Sequence, residues 1–343
     1  MSSARRSSGA ARRIVAERVV AVDWSGDRSE AGQRRKIWAG VWTMNPTHAT
    51  PASKVHSPGT PDRDKTALDG APGVCGGRVT LEGGQTRAEV GEWLIEMARE
   101  TPRMVVGLDF CFSFPAWFVR DELECADGPA FWELMACGLS EQWLARGNPD
   151  RRFWGKHPKP VEFTGDGLHR MLRATDIDCK LAARIPEAER AERVRGIGPK
   201  SVFQIGGAGS VGTASLRGMP VLKRLREAGF AVWPFDRARL PMVVEMYTRL
   251  NTGPVRKSNA AARAEYLRSK CREDEAYSAL SRGVIAKARE SEDAFDALVS
   301  CMAMTARRGE FASLAMPLDP EYKVEGWTWA PGVGDILRLK TAK

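Results

Sequence analysis

Histidine is scarce in this chain of 343 residues: there are four, and none lies beside a cluster of acids. The seven cysteines are scattered, odd in number and never spaced Cys-x-x-Cys. That argues against a disulfide framework or structural zinc and for a reducing, cytoplasmic setting. No apolar run approaches the ~20 residues that a membrane-crossing helix needs. The N-terminal stretch MSSARRSSGAARR has no apolar core of the kind a secretory signal carries. Residues 1–17 are therefore expected to form a disordered basic tail, with an Arg- and Ser-rich transit segment as the lesser alternative. Repeats with periods of 20–50 residues are absent, which excludes solenoids and propellers.

A chain of this size, 43% hydrophobic, can bury a large core as one elaborated domain or two. Its net charge of +9 is unevenly placed. Residues 1–18 hold five arginines against one glutamate, and residues 151–200 hold twelve Lys and Arg against seven Asp and Glu. Such a concentrated basic segment suits a phosphate backbone, or else a solvated helix face beside a loose tail.

Val19–Val22 are four apolar β-formers without alternation, which predicts a strand buried on both faces. KIWAGVW (36–42) alternates and should pair antiparallel with it across the polar loop 25–35; RVTLEG (78–83) reads as a third strand. Residues 46–77 resemble a long exposed insertion. TRAEVGEWLIEMARE (86–100) puts Val90, Trp93, Leu94 and Met97 on one helical face behind a Thr86/Glu89 capping box. MVVGLDF (104–110), FAVWPF (230–235) and MVVEMYT (242–248) read as further strands. Residues 115–200 form a helical, Trp-rich insertion, and 291–309 a long amphipathic helix.

Three of the strands end in or carry one acid: Asp23, Asp109 and Glu245. The last helix adds Asp293 and Asp296, three apart and so on one face. Each has an ordinary structural explanation: Asp23 as an Asx turn, Asp109 as a cap, Asp293 as a partner of the helix dipole. Gathered at one sheet edge, however, like charges repel, and they persist only with shared protons or a bound cation. Oxygen ligands without His or Cys nearby suit Mg²⁺ or Mn²⁺ rather than zinc.

VVAVDWSG, VVGLDFCFSFP, VVEMYT and SEDAFDALVSCMAM, with GSVGTASLRGMPVLKRLREAGFAVWPFD between them, give the chain a family likeness. It resembles the bacterial family catalogued as domain of unknown function 429, predicted nucleases of RNase H-like fold. The resemblance spans residues 18–310 and implies an α/β domain: an RNase H-like mixed sheet flanked by helices. The insertion at about 115–200 would lie within it, and 311–343 would be a C-terminal extension packed on it. It further implies a carboxylate cluster binding two divalent ions, with Asp23, Glu245, Asp293 and Asp296 as catalytic ligands and Asp109 marking a strand end beside them. The DAFDAL spacing is similar to the paired helix aspartates of bacterial Holliday-junction resolvases. Thr248 stands where the family usually has proline. The implied activity is metal-dependent hydrolysis of phosphodiester bonds in nucleic acid, two ions clamping the scissile phosphate. The alternatives are a non-catalytic nucleic-acid-binding protein of the same fold and a nucleotide-binding phosphotransferase.

Lys257 and Arg263 are secondary candidates for phosphate contact. Arg151, Arg152, Lys156 and Lys159, interleaved with Phe153 and Trp154, have the composition of a single-strand contact surface. A competing signal is Gly207-x-Gly209-x-x-Gly212, a match to the dinucleotide fingerprint. Gly218 and Pro220 would fall inside the helix that this motif requires, so residues 207–219 are expected to be loop, with a helix from Pro220.

Overall fold

The computed structural model describes residues 14–45, 76–155, 159–163, 170–176, 198–207 and 209–331. Among them, seven strands form one mixed sheet flanked by helices: β1 Arg18–Asp23, β2 Trp38–Met44, β3 Gly77–Gly83, β4 Met104–Leu108, β5 Ala231–Trp233, β6 Met242–Met246 and β7 Thr328–Trp329. The order is β3-β2-β1-β4-β6-β5, and β7 also pairs with β6. β1, β2 and β3 pair antiparallel, while β4 lies parallel to β1 and β6 parallel to β4. The loop expected between β1 and β2 contains a short helix, α1 Glu30–Lys36, capped by Ser29.

Alternation along the strands divides the core into two layers. Val20, Val22, Val106, Leu108 and Val243 face one side. There they meet helix α2 (Arg87–Glu100), the helix Gly212–Glu227 and a Phe/Trp-rich region built from residues 112–154, Phe163, Val202 and Phe203. Val19, Ala21, Val105 and Val244 face the other side, where Cys301 and Met304 of the helix Glu292–Ala306 cover them. Phe311, Trp327 and Trp329 extend that layer, so residues 311–331 pack on the sheet. Ala16 is fully buried, and its N–H donates to the Arg308 carbonyl, which ties the end of the expected tail into the core. The α2 capping box forms as the Thr86/Glu89 spacing predicts.

The expected loop at 207–219 is corrected by a continuous helix over Gly212–Glu227, with Pro220 inside it. Packing decides this. Pro220 forfeits a backbone bond at a cost of about 3 kcal/mol. Leu216, Met219, Leu222 and Leu225 are fully buried on the same helix, each contributing about 1.5–3 kcal/mol. Gly218 belongs to that packing as well, since a Cβ there would lie 2.5 Å from the Phe110 ring. The dinucleotide motif therefore has its unbroken helix, but among the described residues no sheet strand leads directly into it. A single bridge, Trp154 to Gln204, stands in that place. Asp236, which would hold a ribose, is instead bound to Arg226 and to the Val232 N–H.

Gly40 on β2 lets the helix Glu292–Ala306 lie close on the sheet: a Cβ at this position would stand 2.6 Å from the Ala297 carbonyl oxygen. Both partners are backbone-fixed, so Gly40→Ala is expected to cost about 1–3 kcal/mol and to lift the acid-bearing end of the helix. Urea unfolding of the variant measures this, and an unchanged midpoint contradicts the close packing.

Candidate functional site

At the C-terminal ends of β1 and β4, the parallel register sets Asp23 beside Asp109, whose N–H donates to the Val22 carbonyl. The helix Glu292–Ala306 crosses this end. Its Ser291 cap accepts from the Ala294 N–H and fixes the first turn, which carries Asp293, with Asp296 one turn on. Four carboxylates from three elements thus converge. The turn after β1 is closed by Ser25, which accepts from the Asp27 N–H, so Asp23 is not spent on an Asx turn. Two arginines hold that turn: Arg87 donates to the Ser25 and Asp27 carbonyls at 2.9 and 2.7 Å, and Arg217 to the Gly26 carbonyl at 2.6 Å.

The electrostatics follow from burial. Desolvation raises the Asp23 carboxyl well above its ordinary range, and the charges of Asp296, Asp109 and Asp293 add to it. Burial likewise raises Asp109 and Asp293, each hydrogen-bonded to Asp23. Hydrogen bonds between carboxyls require a proton, so Asp23, Asp109 and Asp293 share protons between them. Burial pushes Asp296 up to about 7 against the opposing pull of Lys257. Lys257 ion-pairs with Asp296 and lies 3.7 Å from Glu292. Thr248 donates from N–H and hydroxyl toward Asp109 at 3.3 and 3.2 Å, its hydroxyl also lying 3.4 Å from Asp296. Pattern reading noted Thr248 only as a departure from proline; its place between two acids was not legible.

Carboxyls raised in the folded state bind protons that the unfolded chain has released. Their contribution to stability is complete below about pH 4 and is lost as pH rises through the folded values. The metal-free protein is therefore expected to lose stability from pH 5 to 8. The Asp296 share is at most about 4 kcal/mol, before allowance for its coupling to the other acids. Thermal melts in EDTA across that range, with Asp296→Asn flattening the slope, check the sign.

Glu245 lies on the other face. By alternation it sides with Val243, and its carboxylate is fully engaged. Arg173 donates two bonds to it at 2.8 and 2.7 Å, the Phe112 N–H one at 2.7 Å and the Thr328 hydroxyl one at 2.6 Å. Asp176 binds the same guanidinium. Arg263 is buried and donates to the Arg289, Glu290 and Lys257 carbonyls, so it caps the helix Arg282–Glu290 and holds the backbone of Lys257. Arg152 pairs with Asp150 and Glu122 beneath Trp117 and Phe118, whereas Arg151 is exposed. Lys156, and most of the basic segment 151–200, lie outside the described residues.

A cavity of about 370 Å³ is lined by Asp109, Thr248 and Lys257 of the cluster and by Arg173, Asp176 and Glu245. Among the described residues no three His, Cys, Asp or Glu side chains stand ready to hold a metal ion. The donor chemistry is nonetheless that of a hard cation: four carboxylates, with Asp296 Oδ1 buried and lacking a hydrogen-bond partner. As arranged, they close around Lys257. Among the described residues no helix is long and apolar enough to cross a membrane. Comparison with family models, curated proteins and solved structures finds no match.

Proposed function

We propose that this protein is a metal-dependent nuclease on an RNase H-like core, as the family resemblance implies. The observation that carries the reading is the convergence of Asp23, Asp109, Asp293 and Asp296 at one sheet end, offset in part by the ammonium of Lys257. The strand order, with antiparallel β2 and β3 beside parallel β4 and β6, supports the fold assignment. The four aspartates would hold Mg²⁺ or Mn²⁺, which when bound supplies charge for the scissile phosphate and an activated water. Lys257 offsets part of the cluster's charge in the absence of metal, and Thr248 holds the Asp109 and Asp296 carboxylates in place. Glu245, locked by Arg173, serves to fix the wall of the adjoining cavity.

The unbroken helix from Gly212 keeps one rival open, a phosphotransferase that binds a nucleotide at the glycine loop. One assay separates them. Purified protein is incubated with single-stranded and duplex DNA and RNA, and with ATP, in Mg²⁺, Mn²⁺ or EDTA. Metal-dependent strand cleavage without ATP turnover supports the nuclease; ATP turnover alone supports the rival; neither leaves the non-catalytic binder.

A further inference from the structure

The two acids at strand ends are each followed by an aromatic residue: Asp23 by Trp24, and Asp109 by Phe110. Because neighbouring residues in a strand point to opposite faces, the acids turn toward the helix Glu292–Ala306 and the rings toward the cavity side. The Trp24 and Phe110 rings lie 5.1 Å apart and line the cavity. In the same lining, Arg173, Asp176 and Glu245 saturate one another and form a fixed polar wall.

We propose that this cavity receives one unstacked nucleoside next to the phosphate held at the carboxylates. The substrate class is then nucleic acid with an unpaired nucleotide at the cleavage position. The inference rests on the nuclease reading of the same site. The cavity's volume lies in the range of small-ligand pockets. Asp109, Thr248 and Lys257 line the cavity and also belong to the carboxylate cluster, so a phosphate at the cluster has its sugar and base beside this space. A base that is paired and stacked cannot enter it without leaving the helix, which favours substrates in which it is already free. Stacking against an aromatic wall is tolerant of base identity, so the selection is for an unpaired base rather than for a sequence.

The test is equilibrium binding in Mg²⁺ with three labelled DNA probes whose phosphorothioate linkages resist cleavage: a single strand, a duplex with one bulged nucleotide, and the fully paired duplex. The single strand and the bulge are expected to bind about 10-fold tighter than the paired duplex. Ser210, half-buried on the loop at the cavity rim, offers a plug that avoids the core and the acids. Ser210→Phe is expected to abolish the preference, as is Trp24→Leu if it folds. Equal affinity for all three probes, or a preference that survives Ser210→Phe, overturns the assignment. The readout needs no cleavage, so failure of the nuclease reading in the metal assay leaves this result standing, and failure here leaves that reading intact.

Discussion

Asp23→Asn yields a folded protein that melts higher in EDTA than wild type, while its metal-dependent cleavage falls on the order of 10²–10³-fold, the scale of losing one strong electrostatic partner of the reaction. Both effects have one cause. Asp23 is buried among three other carboxyls, and ionising it costs free energy in the folded state. Asparagine has the same shape, its amide N–H groups can donate to Asp109 and Asp293 as the protonated acid does, and it carries no charge to be repelled. Without metal the cluster is therefore more stable; with metal it has lost an anionic ligand. The two readings are a thermal melt in EDTA at pH 8 and initial cleavage rates at matched Mg²⁺ or Mn²⁺. A variant that melts lower yet cleaves normally contradicts the account on both counts.

Arg173→Ala is expected to have the largest effect on stability, about 3–5 kcal/mol, the cost of leaving a buried ion pair half-broken. Arg173 is 1% exposed and its guanidinium satisfies Glu245 and Asp176 together, besides donating to the Glu325 carbonyl. Truncation strands two buried carboxylates. Part of the loss is expected to return in Arg173→Met combined with Glu245→Gln, which removes one stranded charge. Urea unfolding of the three proteins measures the series. A single variant within 1 kcal/mol of wild type is incompatible with the network (a threshold taken well below the usual cost of such a break).

Much of the architecture was legible because burial imposes pattern. Val19–Val22 and Met104–Leu108 could only be strands covered on both faces, and Thr86 with Glu89 announced the start of α2. Asp293 and Asp296 could be placed on one helical face from their spacing alone. Two features were not legible, for physical reasons. A strand apolar on both sides carries no parity signal, so nothing in MVVEM tells which face Glu245 takes. Its partner Arg173 is 72 residues away, with only the i,i+3 spacing to Asp176 to hint at pairing. The central helix was misjudged because proline and glycine penalties are local, whereas the four buried side chains that outweigh them meet their partners only in the folded core.

Direct titration with Mn²⁺, followed by calorimetry and by the loss of the free-ion electron paramagnetic resonance signal, tests the central claim most simply. The wild-type protein is expected to bind Mn²⁺ saturably, up to two ions, with release of protons because the cluster holds them when metal-free. The Asp23→Asn/Asp296→Asn double variant, folded by circular dichroism, is expected to lose that binding. Saturable binding that is the same in both proteins, or none in the wild type, would show that these carboxylates are not a metal site.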